Sequence, residues 1–164
     1  MKNYFGIISS FVFSLPYVIL GVQAGVLSGK VNRKIFLGLS CILWSATALG
    51  VGYVDNFAFF CLMRFMLGGF ESACNPNSYS LIADYFPPQY RSTANAIETS
   101  GSYVGGGLAS ICVIIIKMYG WRAMYKFIGG LGILAGVLTM IFIKEPERGQ
   151  FDIMAESGKS IDLS

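Results

Sequence analysis

Arg64 and Glu71 are seven positions apart inside one long apolar stretch of this 164-residue chain. On a helix that spacing is two turns, roughly 10 Å along one face. It is too long for an i,i+4 pair, so each side chain calls for a partner on another element or a water-filled cavity. An ionisable group inside lipid costs about 2.5 kcal/mol or more, which makes both residues candidates for function. A carboxyl withdrawn from water can trade a proton near neutral pH. A carboxylate beside a fixed cation suits either proton-coupled movement of a solute or a structural ion pair that ties helices together; the spacing alone leaves both open. Glu98 lies some way into the next apolar stretch and either faces the same cavity or sits near the headgroups. Asn75-Pro76 interrupts the stretch just after Glu71, either as a broken helix that bares carbonyls to a ligand or as a plain kink.

Other chemistries find no support. The chain has no His, which removes histidine-based catalysis and the commonest metal ligand. Cys41, Cys61, Cys74 and Cys112 lie in apolar runs without a C-x-x-C pair and read as packing residues. No motif calls for a metal or a cofactor. No paired Asp or Ser–Lys arrangement occurs in the apolar stretches, so an enzyme is not expected. The net charge of +3 is small, and the basic residues gather at the ends of apolar stretches. That suits a membrane boundary rather than a nucleic acid.

The elements that must position these residues follow from hydropathy. The composition is 54% hydrophobic and 13% charged, against about 25% charged in a soluble domain. Five apolar stretches, at about 4–29, 35–53, 57–86, 92–116 and 122–143, each approach the roughly 20 residues that cross a bilayer. In lipid the backbone must satisfy its own hydrogen bonds, so each stretch is expected to be a helix. The fold class is all-α, a polytopic transmembrane bundle over 1–144, with Pro16 a candidate kink in the first span. The first stretch is too long for a signal-peptide core. Among the 20 glycines, Gly21, Gly25 and Gly29 share a face, as do Gly101 and Gly105, and Gly132 and Gly136; any one such pair could arise by chance in a chain so rich in glycine, but three together point to a compact bundle. Such spacing lets helices cross closely. After Lys144 the chain turns polar and loses periodicity, which reads as a disordered tail or linker over 145–164.

Sidedness follows from the cations. One face receives Lys30, Arg33, Lys34, Arg91, Lys144, Arg148 and Lys159; the other receives Lys2, Lys117, Arg122 and Lys126. The positive-inside rule places the 30–34 loop and the tail in the cytoplasm.

The segment from Gly25 to Lys34 resembles the helix 2–3 signature of the major facilitator superfamily, G-x-L-[AS]-D-[RK]-x-[GN]-[RK]-[RK]. Gly25, Leu27, Ser28, Lys30, Asn32, Arg33 and Lys34 match it. Gly29 stands where the family has Asp, a departure that puts ordinary gate latching in question. Asp84 and Arg91 match the family's helix 4–5 junction, and Asp84 is placed to pair with Arg33 or Lys30. Arg64-x-x-x-Gly68 with Glu71-Ser-Ala resembles the helix 4 motif, and Gly120-Trp-Arg the start of helix 6. Together with Trp44-Ser-Ala-Thr and Glu145-Pro-Glu-Arg-Gly, these look closest to the spinster-like branch.

The resemblance implies a multi-pass secondary transporter that moves an organic solute or a lipid by alternating access, with Arg64 and Glu71 as the coupling pair. It aligns the five spans with helices 2 to 6 of the N-terminal six-helix half. Helix 1 and the second half would then come from a longer chain or a partner subunit. A second reading is a non-transporting membrane protein that binds or regulates a partner. The absent helices and the lost loop Asp motivate it.

Overall fold

Six helices follow one another along the chain: α1 (Lys2–Ser28), α2 (Arg33–Val51), α3 (Phe57–Glu71), α4 (Cys74–Tyr85), α5 (Pro88–Tyr119) and α6 (Trp121–Phe142). The computed structural model describes residues 2–149 and 151, with side chains from residue 8 onward. The Lys2 side chain and Lys159, both counted in the charge asymmetry, lie outside the described residues, as does the tail from 152. Helices α3 and α4 form one span, Phe57–Tyr85, so the six helices make five rods long and apolar enough to cross a membrane.

Local chemistry sets the helix ends. Asn32 caps α2, its side chain accepting from the Ile35 N–H at 3.0 Å, and Asn56 caps α3 through the Ala58 N–H at 2.9 Å. Each satisfies one orphan amide of a first turn. Hydropathy begins the fourth stretch near 92, after Pro87 and Pro88. Instead Pro88 opens α5, because a missing N–H and a fixed φ suit a first helical position. Gly120, at φ +83°, links α5 to α6 as a single residue, a conformation that costs glycine nothing.

The third span corrects one expectation. The interruption falls at Ser72 and Ala73, one turn before Asn75-Pro76, and both of those residues lie in the first turn of α4. The Pro76 ring disturbs the carbonyl four residues back, which is that of Ser72. Ser72 (φ −57°, ψ −25°) and Ala73 (φ −80°, ψ −17°) keep right-handed helical dihedrals. The rod is therefore kinked and not unwound, and it bares no extended run of carbonyls.

Packing is uneven. Helices α2 and α6 make the closest contact, where Gly129, Gly132 and Gly136 meet Leu49, Ser45 and Ile42. A Cβ on Gly129 would stand 2.6 Å from the Leu49 backbone nitrogen. Helix α3 packs between α1 and α2, and just beyond its end Gly21 of α1 meets Ser72 and Gly25 meets Pro76 of α4. Helix α5 touches chiefly α6 and α4 and has no buried residue. Its Gly101, Gly105, Gly106 and Gly107 meet nothing within 4 Å. Thus two of the three glycine stripes are used in crossings within the chain, and the third faces open space.

This asymmetry is testable by thermal unfolding in detergent, followed by circular dichroism. Gly129→Ala must push backbone against backbone and should destabilise by about 1–3 kcal/mol. Gly105→Ala meets no neighbour and should be neutral or stabilising by up to about 1 kcal/mol through helix propensity.

Candidate functional site

Two groups of polar side chains stand out, one within the spans and one at the end where α1 joins α2.

Within the spans, Arg64 of α3 reaches α6. Its guanidinium donates to the Tyr125 hydroxyl and lies 5.4 Å from the Phe60 ring centroid and 5.5 Å from that of Tyr125. Trp121 packs edge-on against both rings. Aromatic faces stabilise a cation where water is scarce, which is how this chain carries an arginine in a membrane-spanning helix. The Arg64 Nε–H is nonetheless buried without an acceptor. Glu71 is half-buried and has no hydrogen bond or ion pair among the described residues. It lies within electrostatic range of Arg64 but does not pair with it. Glu98 is also half-buried and, among the described residues, accepts only a 3.5 Å contact from the Thr99 hydroxyl. Arg91, Asn95 and Glu98 share one half-buried face of α5, while Ile97, Val104 and Leu108 are well exposed. The Asn95 Oδ1 is buried and unpartnered.

Asn77 was not singled out from sequence. It is fully buried, donates to the Ala73 carbonyl at 2.7 Å, and keeps an unpartnered Oδ1. A polar amide inside an apolar span was the signal available. Asn75 is exposed instead and donates to the Tyr17 hydroxyl at 3.3 Å. Tyr125 was likewise missed, because nothing in its local sequence marks it as the partner of Arg64.

At the loop end, charges are densely matched. Of the two cations weighed for Asp84, Arg33 takes it, with side chains only 4% and 10% exposed. Arg33 also bonds Glu145 through Nε at 3.1 Å and Ser80 through its hydroxyl at 3.1 Å. The Glu145 carboxylate accepts the Lys34 N–H at 2.8 Å, and Asp84 accepts the Gly149 N–H at 2.9 Å. Arg148 donates to the carbonyls of Ser28, Gly29 and Val31. It fills with a cation the place where the carbonyls at the end of α1 lack partners. Residues 145–149 are therefore a strap across α1, α2 and α4, not the free tail that their polarity suggested. Arg91 binds the Phe86 carbonyl at 3.1 Å. The Lys30 and Lys34 ammonium groups have no partner among the described residues. Gly25 and Leu27 line α1 above the loop. At the opposite end the exposed pair Asp55–Arg122 joins the α2–α3 turn to α6.

Membrane-length helices, close glycine crossings and a charge-matched loop end define an integral, multi-pass helical bundle. The sequence matches the Major Facilitator Superfamily over residues 2–161, and the chain belongs to that family. It is 32% identical over 143 residues to the probable galactarate/D-glucarate transporter GudP of Escherichia coli, covering 83% of this chain and 32% of that protein. It is 31% identical over 142 residues to human protein spinster homolog 1, covering 84% and 27%. It is 30% identical over 145 residues to the zebrafish sphingosine-1-phosphate transporter SPNS2, covering 86% and 29%. A crystal structure of a bacterial homolog of the human lysosomal transporter spinster, inward-facing and unoccupied, superposes with a TM-score of 0.73 at 25% identity, covering 88% of this chain and 36% of that one. The spinster resemblance holds, and sugar-acid transporters match beside it. The chain spans about a third of the length of these relatives.

The strap has a pH signature. Partial burial pushes the Glu145 carboxyl up, but the Lys34 N–H and the Arg33 guanidinium outweigh it and hold the group below the usual carboxylate range. A lowered folded-state value stabilises the protein fully above the ordinary value of about 4.3 and loses that stabilisation as pH falls through the folded one. The difference in thermal midpoint between the wild type and Glu145→Gln should be constant from pH 6 to 8. It should shrink below about pH 4.3.

Proposed function

We propose that this chain is the working part of one half of a secondary transporter that moves an organic solute or lipid across a membrane by alternating access. The observation that carries the reading is Glu71: a half-buried carboxyl within a spanning helix, without a hydrogen bond or ion pair among the described residues. A structural ion pair would satisfy that group, and none does. A carboxyl left open in this way is available to a proton or a substrate. Glu71 takes and releases the coupling proton, Arg64 supplies the fixed charge, and Glu98 lines the same space. The loop end, with Arg33, Asp84 and the strap, faces the cytoplasm and serves as the gate side.

The second half comes from a longer form of this chain or from a partner. Helix α5, with no buried residue and four glycines that meet no neighbour, has an unfilled packing surface of the kind such a partner requires. The relatives named for a substrate carry acids of different size, namely sugar acids and sphingosine-1-phosphate. An anionic group is their common denominator, and the Arg64 Nε–H, which lacks an acceptor, is the cation on hand to receive it.

The test is uptake driven by a pH gradient into liposomes that hold the full-length form. Glu71→Gln should abolish the gradient-driven component while leaving substrate exchange. Undiminished gradient-driven uptake by that variant would exclude Glu71 as the coupling group.

A further inference from the structure

A groove of about 270 Å³ lies where α1 and α2 flank α3. Its walls are mainly Leu20, Ala24 and Leu27 of α1 and Phe36, Leu39 and Leu43 of α2, with Phe70 of α3 beside them and Gln23, Ser40 and Ser72 as its polar members. No charged side chain lines it. From Leu20 to Leu27, and from Phe36 to Leu43, is seven residues, so the groove runs roughly 10 Å along the helices. Leu20, Leu27 and Leu39 are 37%, 45% and 46% exposed, so no described residue covers its side.

One end of the groove is closed by the α1–α2 connection, and the charge there is unbalanced. Arg33 and Arg148 are spent on Asp84, Glu145 and the carbonyls at the end of α1. Lys30 is exposed, its N–H bonds the Leu27 carbonyl at 2.8 Å, and its ammonium has no partner among the described residues. It stands in the turn after α1, three residues beyond Leu27 at the end of the groove. Lys34 is equally unpaired, but helical spacing from Phe36 turns it to the far side of α2, where it adds field and not contact. Position 29, the nearest place in the loop for a carboxylate to neutralise Lys30, is glycine.

We propose that this groove is a binding site for an anionic glycerophospholipid, with one acyl chain between α1 and α2 and the phosphate at Lys30. A cation at headgroup depth above an apolar slot matches both parts of such a molecule, and each lysine near the surface favours an anionic headgroup by roughly fivefold. Arg64 and Glu71 do not line the groove, although Gly69, Phe70, Ser72 and Ala73, which flank Glu71, do; the lipid proposed here is held as a resident of the bundle, separate from the cargo of the proposed transport. Lipid binding and transport are measured separately, and either can fail without the other.

The test uses the purified chain in dodecyl maltoside with equimolar dioleoyl phosphatidylglycerol and dioleoyl phosphatidylcholine, counting retained lipids by native mass spectrometry. The wild type should retain the phosphatidylglycerol about fivefold over the phosphatidylcholine. Lys30→Gln should bring the ratio near one, Lys34→Gln should lower it less, and Lys117→Gln at the opposite end should leave it unchanged. Leu39→Trp, which fills the groove, should reduce retention of both lipids; Leu20→Phe serves if that variant loses its helical signal. Equal retention by the wild type, an unchanged ratio in Lys30→Gln, or full retention in the groove variants would overturn the proposal. Displacement of the phospholipid by equimolar glycerol phosphate would overturn it too, by showing a headgroup site that needs no acyl chain.

Discussion

Lipid offers the backbone no hydrogen-bond partner, and every other feature of this chain answers to that constraint. It forces the apolar stretches into helices. It also removes the hydrophobic effect as a reason for those helices to associate, because a lipid tail is as apolar as a leucine. What remains is contact at short range, and the chain achieves it by deleting side chains. At the α2–α6 crossing, Gly129, Gly132 and Gly136 let the backbone of one helix approach that of the other. Dispersion gained over many such close contacts is individually small and collectively large. Serines inside the bundle follow the same rule, since Ser45 and Ser72 return their hydroxyls to carbonyls of their own helices.

Polar groups are then divided between two regimes. At the loop end most are matched: Arg33 alone bonds two carboxylates and a serine, and the strap after α6 closes the ends of three helices, while the Lys30 and Lys34 ammonium groups and the buried Ser28 hydroxyl have no partner among the described residues. Within the spans they are not. Arg64, Asn77 and Asn95 each keep a buried atom without a partner, and Glu71 has no bond at all among the described residues. Buried polar atoms are costly when unmatched, and native structures hold few of them. Their concentration in the spans fits the half-transporter proposed above, in which the interior must stay available and the end must hold firm.

Much of this was legible beforehand, and the exceptions have physical causes. Hydropathy located all five rods because the period and length of an apolar stretch are local properties. The Arg33–Asp84 region was legible through the resemblance of the loop and of Asp84 to the family's motifs, which left Lys30 open as the other partner. The kink was misplaced by a turn because proline acts on the carbonyl four residues before it, and Ser72 carries no mark of its own. The strap was missed because 145–149 has no periodicity; its order comes from partners more than 60 residues away, as with Gly149 on Asp84. Tyr125 was missed for the same reason. Among the glycine stripes, spacing alone did not separate Gly132–Gly136, which is packed, from Gly101–Gly105, which is open. That difference depends on what stands opposite, which no single helix encodes.

Amide hydrogen exchange on the chain in lipid nanodiscs tests the central claim most directly, since it reads backbone bonding in the bilayer itself. Exchange is expected to be slowest in α2 and α6, where the closest crossing lies, and fastest within the spans in the polar first half of α5. Amides of α2 and α6 that exchange as quickly as those of α5 would contradict it.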